Sequence, residues 1–273
     1  MKQVIQIRCK NNKKSQKVEI GSTLFDIFSA FDLKMTHGPV SARVNNKVEG
    51  MHYRVYNSKD VEFLDMTSSS GSRAYTRTLF FVLCKAVQDI YPATDVVIDI
   101  PVSNGFYVDI RLGRPVVDED VNIIRRRMQE IIDARMPIRR FTVPTEEAVA
   151  LFQEKGDVEK VKLLKTSGSI YTTYYKIGDY VDYYYGTLLT NTSQLYLFGL
   201  EKYYDGMLLR IPSLKNPDVL GEMTRQDKMF EIFKEHHRWQ DVLGLRTIGD
   251  LNEAITADSA TQLINVSEAL QEK

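Results

Sequence analysis

The stretch from Arg73 to Tyr91, RAYTRTLFFVLCKAVQDIY, constrains the fold more than any other. Ala74, Arg77, Phe81, Cys84 and Gln88 recur at helical spacing beside the apolar run Leu79 to Leu83, so this helix has to be wrapped on most of its sides. It is expected at the centre of a core. Ser68, Ser69, Ser70, Gly71 and Ser72 read as a linker with an N-cap, and Pro92 stops the helix just past Tyr91.

The chain is long enough, at 273 residues, for two domains. Its 36 basic and 36 acidic residues cancel, so no global field holds a polyanion and any nucleic-acid contact has to come from a local patch. Cys9 and Cys84 lie far apart and one falls inside the core helix, which argues against a disulfide framework and for a reducing, cytoplasmic setting. The opening MKQVIQIRCKNNKK has too short an apolar run for a signal peptide, and no later run approaches a membrane span.

Residues 1–67 read as a compact α+β module. Val4, Ile5 and Ile7 form a strand, Asn11 to Lys14 a polar turn, and Val18 and Ile20 a second strand. Ser22 or Thr23 caps a short helix carrying Leu24, Ile27, Phe28 and Phe31 on one side. Ala42 to Val44, the Asn45-Asn46 turn and Val48 make a second hairpin, and Val61 to Leu64 closes the sheet. This order describes a small ubiquitin-like, β-grasp roll. With Gly21-Ser22-Thr23 before the helix and Ala42-Arg43-Val44-Asn45 before the second hairpin, it resembles a TGS domain, the ligand- or RNA-contacting module that opens threonyl-tRNA synthetases.

In residues 68–212, strands over Asp95 to Ile100 and Tyr107 to Leu112 flank a turn in which Asn104-Gly105 supplies positive φ. Helices follow from Val117 through Ile132, over Thr145 to Lys155 and over Val158 to Leu164, and Gly168 to Phe198 is strand-rich and weighted with tyrosine. This region resembles the α+β editing domain of threonyl- and alanyl-tRNA synthetases. The matches are Ile90-Tyr91-Pro92, Asn104-Gly105-Phe106-Tyr107 with Asp109, Glu119-Asp120-Val121, Phe152 to Val161, and Tyr180-Val181-Asp182 before Gly186. In that family an HxxxH pair on the core helix and a Cys with a His four residues later bind metal or handle the water that hydrolyses a mischarged ester. The resemblance places these four positions at Arg77, Phe81, Tyr184 and Leu188, none of them His or Cys. Phenylalanine and leucine neither ligate zinc nor move a proton, and arginine stays protonated, so a filled, inert pocket without catalytic residues or metal is expected, with Tyr184 filling it. His37 and His52 lie in the first module, and the adjacent His236 and His237 point to different helix faces, so none of them repairs the site.

Other signals stay open between two readings. Arg125, Arg126, Arg127, Arg135, Arg139 and Arg140 are either a phosphate-contacting stripe or a solvated helix face partnered by Glu130 and Asp133. Tyr183 and Tyr185 on one strand face, with Tyr171, Tyr174, Tyr175 and Tyr180 nearby in sequence, are either a base-stacking platform or ordinary cross-strand packing. Thr67 to Arg73 superficially resembles a phosphate-binding loop but lacks its first glycine and its lysine.

Residues 213–273 read as a Pro-bearing loop, a helix over Gln226 to Trp239, and a last helix from Asp250 carrying Leu251, Ile255, Leu263, Val266 and Leu270, with Trp239 packing on Leu243 or Leu245. Glu222 to Glu235 and Ile248-Gly249-Asp250-Leu251-Asn252 resemble a helical linker of bacterial fusion proteins in which a uridine kinase-type nucleoside kinase follows. The resemblance implies a regulatory region that binds tRNA, other RNA or a nucleotide. ATP and magnesium would belong to a covalently linked downstream kinase, and this part of the chain would hold no cofactor. An aminoacyl-tRNA deacylase with an atypical site, and a structural module that dimerises, are the alternatives.

Overall fold

The computed structural model describes residues 3–92, 94–257 and 260–271. In chain order the elements are β1 (Val4–Cys9), β2 (Ser15–Glu19), β3 (Ser22–Thr23), α1 (Leu24–Ala30), β4 (Ser41–Val44), β5 (Lys47–Glu49), β6 (Arg54–Val55), β7 (Lys59–Leu64) and α2 (Ser69–Ile90). There follow β8 (Val96–Val102), β9 (Gly105–Ile110), α3 (Asp118–Asp133), β10 (Arg139–Pro144), α4 (Thr145–Glu154), α5 (Val158–Thr166), β11 (Tyr171–Ile177) and β12 (Tyr180–Tyr183). After a 3-10 turn at Thr192–Gln194 come β13 (Gly199–Tyr203), β14 (Gly206–Arg210), α6 (Asp227–Leu243), α7 (Ile248–Thr256) and α8 (Ala260–Gln271). The class is mixed α+β, as expected.

Packing divides the chain into two units, Met1–Arg139 with Lys176–Arg225, and Arg140–Tyr175 with Gln226–Lys273. This division follows contacts rather than the sequence modules 1–67, 68–212 and 213–273.

The first unit opens with a five-stranded sheet in the order β2-β1-β7-β4-β5. β1 runs antiparallel to β2 with Ile7 opposite Gln16, and parallel to β7 with Ile7 opposite Lys59. Strand alternation turns Ile7, Cys9, Ala42, Val44, Val61 and Phe63 inward, where they form one apolar cluster with Leu24 and Ile27 of α1. Thr23 caps α1: its hydroxyl accepts the Asp26 N–H at 3.2 Å while the Asp26 carboxylate accepts the Thr23 N–H at 2.9 Å.

Helix α2 starts earlier than its periodicity predicts. Ser68 is the N-cap, its Oγ accepting the Gly71 N–H at 3.0 Å, so Ser69 to Ser72 are helix rather than linker. Gly71 is there because a Cβ would stand 1.9 Å from the Asp65 carbonyl oxygen. α2 and α3 pack together beside a four-stranded sheet ordered β13-β14-β9-β8, with Phe80 of α2 edge-on to Phe106 of β9 at 4.9 Å. The β8–β9 turn differs in detail from expectation. Ser103 and Asn104 carry the positive φ, at 52° and 56°, whereas Gly105 is required because a Cβ would meet the Leu209 carbonyl oxygen at 2.5 Å. Val121, Ile124, Met128 and Ile131 of α3 are buried, on the predicted face.

In the second unit β10 lies beside β11, with the Thr142 and Thr173 hydroxyls 2.9 Å apart. Phe141 stacks on Tyr174 at 5.2 Å, and Phe152 of α4 meets the Tyr174 ring edge-on at 6.5 Å. α5 packs against α4 and α7. Lys162 of α5 pairs with Asp250 at 2.7 Å and Glu253 at 3.2 Å, and the backbone of Leu163 closely approaches Gly249. The single last helix expected from Asp250 is two helices. The first begins at a Thr247–Asp250 capping box, three residues ahead of the predicted start. Trp239, expected in packing, is 39 % exposed.

Candidate functional site

The residues singled out in the sequence lie where α2 faces the segment that follows β12. Asp182 is buried; its Oδ2 accepts the Tyr180 hydroxyl at 2.8 Å and its Oδ1 the Tyr183 N–H at 2.7 Å, which fixes the end of β12. Beyond it, Thr78 of α2 accepts the Leu189 N–H at 2.9 Å and donates to the Ala74 carbonyl at 2.7 Å, holding the segment along the helix.

Phe81 is fully buried, with the Tyr184 ring edge-on at 5.6 Å and the Tyr180 ring tilted at 5.2 Å. The Cys84 thiol lies beside the Tyr184 hydroxyl. Burial, followed by the nearby Cys84 and Asp182, pushes both the Tyr180 and Tyr184 hydroxyls well above the ordinary phenol range. Leu188 is 2 % exposed. Arg77 lies over Gly186, where a Cβ would stand 2.7 Å from Nη1, and Gly186 itself holds φ +106°. Among the described residues no group of three or more His, Cys, Asp or Glu is placed to hold a metal ion.

Arg77, Phe81, Tyr184 and Leu188 therefore all face this segment of α2 or belong to the stretch packed along it. Tyr180 and Cys84 join them, and sequence reasoning passed over both as site residues. Cys84 could have been found from its place one turn beyond Phe81 and two beyond Arg77 on the same helix face.

The arginines sit on different elements. Arg127 is held by Asp89 at 2.9 Å and Glu130 at 2.8 Å, and Arg125 donates to Asn122 at 3.1 Å. Arg126 is exposed on α3. Arg139 and Arg140 lie on strand β10, not on a helix face, and Arg135 sits past the end of α3 at φ 50°. Tyr185 is 84 % exposed beyond the end of β12, and Tyr183 is half-buried at its last position. Two of the histidines pack elsewhere: His37 stacks on Tyr196 at 3.7 Å and contacts Asp218 at 2.6 Å, and His52 meets the Phe25 ring at 5.6 Å. No described helix is long and apolar enough to cross a membrane.

These features describe an α+β protein in which aromatic side chains pack where α2 meets the segment after β12. The chain is similar to threonine–tRNA ligases: 30 % identical over 224 residues to that of Syntrophotalea carbinolica, 29 % over 181 residues to that of Acetivibrio thermocellus and 30 % over 193 residues to that of Clostridium kluyveri. The matches take in 78, 66 and 70 % of this chain but 35, 28 and 30 % of the relatives, so the chain spans about a third of the length of the proteins it matches. The relationship is to the N-terminal domains of those enzymes. No protein-family profile matches it.

Proposed function

We propose that this chain is a non-catalytic accessory region, akin to the N-terminal part of threonine–tRNA ligases, that binds RNA or a nucleotide instead of hydrolysing an ester. The observation that carries the reading is Phe81 packed between Tyr184 and Tyr180, with Leu188 buried, at the positions where the family resemblance puts His and Cys. Tyrosines held protonated by burial do not take a proton from water near neutrality, and phenylalanine and leucine hold no metal. Arg77 supplies a fixed positive charge beside the filled pocket. The name of the relatives makes tRNA the first ligand to try. A linked nucleoside kinase is part of the same proposal and rests on the Glu222 to Glu235 and Ile248 to Asn252 resemblance; a downstream reading frame with GxxxxGK followed by Ser or Thr tests it.

The decisive experiment pairs thermal shift against tRNA, uridine, cytidine, ATP, UTP, threonine and serine with a deacylation assay on mischarged seryl-tRNA. A ligand at about a hundred times its Kd adds close to 3 kcal/mol. A shift with tRNA or a nucleotide and no turnover is expected. Turnover that survives a chelator and falls on Tyr184→Phe would replace this reading with an atypical deacylase. No shift and no turnover would leave a structural or dimerising module.

A further inference from the structure

The arginines of α3 are partly neutralised by their neighbours, but another basic surface is not. Between residues 8 and 18 the β1–β2 hairpin carries Arg8, Lys10, Lys13, Lys14 and Lys17 and no acidic residue. All five are exposed. Arg8 reaches Asp60 only at 3.9 Å, and among the described residues no carboxylate pairs with any of the four lysines. Of the acids nearby, Glu62 of the adjoining β7 is held by Arg43 at 2.5 Å and Asp60 of β7 faces Arg8, while Glu19 ends β2 opposite Val4, at the other end of the hairpin from its tip. In a chain of zero net charge this leaves a local excess of positive charge on one rigid element.

The geometry of the hairpin presents that charge outward. Ile7 and Cys9 point into the apolar cluster, so Gln6 and Arg8 point to solvent. Ser15 stands opposite Arg8 and Lys17 opposite Gln6, which places Arg8 and Lys17 diagonally on one face, about 7–8 Å apart at the backbone. The tip is fixed rather than loose: Cys9 N–H bonds the Lys14 carbonyl at 2.8 Å, Asn11 bonds Phe63 N–H and carbonyl at 2.8 and 2.9 Å, and Lys13 holds the left-handed φ of 58°. Asn11-Asn12-Lys13-Lys14-Ser15-Gln16 offers neither an aromatic ring to stack on a base nor an apolar side chain to enter a lipid surface.

We infer that the β1–β2 hairpin is the phosphate-backbone contact of this chain for RNA, read by charge and not by sequence. The inference rests on the RNA reading proposed above and adds its location. Each lysine on a phosphate releases a counterion, so binding should weaken steeply with salt.

The test measures binding of bulk deacylated tRNA by fluorescence anisotropy across a salt series, with phosphatidylserine vesicles as a second probe. Lys13→Glu with Lys14→Glu, and Lys10→Glu with Lys17→Glu, are compared with Lys155→Glu and Lys165→Glu, two exposed lysines of the second unit. Each hairpin pair is expected to weaken tRNA binding on the order of tenfold and to lower the salt slope by about two, and the control pair to change neither. Binding that persists unchanged in the hairpin variants overturns the location while the RNA reading survives. Absence of tRNA binding in the unaltered chain overturns both, and hairpin-dependent binding to vesicles alone assigns the surface to lipid.

Discussion

Asp120 is 3 % exposed, and its carboxylate accepts from Arg114 Nη1 and Nη2 at 2.6 and 2.7 Å, from the Tyr91 hydroxyl at 2.6 Å and from the Val117 N–H at 2.9 Å. The Arg114 guanidinium above all, then the Tyr91 hydroxyl and the backbone N–H, hold its pKa far below the carboxylate range although burial opposes them. A lowered folded-state pKa contributes stability that is present above the unfolded value of about 3.9 and is lost as pH falls toward the folded value. Melting temperature should therefore drop below about pH 4, and Asp120→Asn should flatten that limb while costing about 2 kcal/mol at neutral pH. Thermal melts of both proteins across the acid range check this; parallel limbs would assign the acid sensitivity to other carboxylates. Gly186 gives a second test. Its φ of +106° strains any L side chain, whereas the contact with Arg77 involves the end of a flexible chain that can swing away. Gly186→Ala should cost about 1–2 kcal/mol, and nearly as much in an Arg77→Ala background. A coupling energy above about 1 kcal/mol in that double-mutant cycle, measured by denaturant unfolding, would make the guanidinium contact the dominant cause.

At the scale of elements, α2 shows what periodicity reveals and what it hides. The repeat from Ala74 to Gln88 marks a wrapped helix, and Ala74, Leu79, Phe81, Val82 and Leu83 are fully buried, whereas Arg77, Phe80 and Cys84 are half-buried and Gln88 is exposed. Its first turn was illegible because Ser-Ser-Gly-Ser has poor helix propensity, and only the approach to the Asp65 carbonyl explains the glycine. Gly71→Ala should cost about 3 kcal/mol, more than the helix propensity gained, and a denaturant melt decides; stabilisation would mean that the first turn shifts at no cost. Tyr75 is equally specific to the fold, its hydroxyl donating to the Leu197 carbonyl at 2.8 Å and accepting the Tyr196 and Leu197 N–H groups at 3.0 and 2.9 Å. Tyr75→Phe strands those two N–H groups and should cost about 2–3 kcal/mol by the same measurement. The hairpin of β13 and β14 was missed although Asp205-Gly206 is a turn signal, because the residue at the positive φ of 51° is Tyr204, which carries no such signal. The candidate site was half legible. Helical spacing puts Arg77, Phe81 and Cys84 on one face, and only the family resemblance brought Tyr184 to it; the arrival of Tyr180 depends on a strand far along the chain, which no local pattern reports. Charge alone likewise marked Arg127, and its partner Asp89 comes from another helix.

For the molecule as a whole, the first 67 residues raise the question of independence. They own an apolar cluster around Ile7, Leu24, Ile27, Met51 and Phe63, which argues for a self-standing domain. They also fall in the same packed unit as α2 and the four-stranded sheet. His37 lies flat on Tyr196, 6° from parallel, with Asp218 at its Nε2, and Gln194 donates to the Pro39 carbonyl at 3.2 Å. The Tyr196 hydroxyl is buried without a partner among the described residues, and burial, then Asp218, pushes it up to about 12. Its stacking partner His37 comes from the first segment, so removing that segment uncovers the ring face on which His37 lies, while Tyr75 still meets Tyr196 edge-on at 5.4 Å. A chain shortened to begin at Thr67 should therefore melt at lower temperature than the full chain. In the full chain, the amides of β1, β7 and α2 should exchange hydrogen with a common opening free energy as denaturant rises. Exchange of β1 and β7 through a separate, lower opening, matched by a cooperative melt of residues 1–67 alone, would instead make the first segment a domain docked on the second by its His37 face.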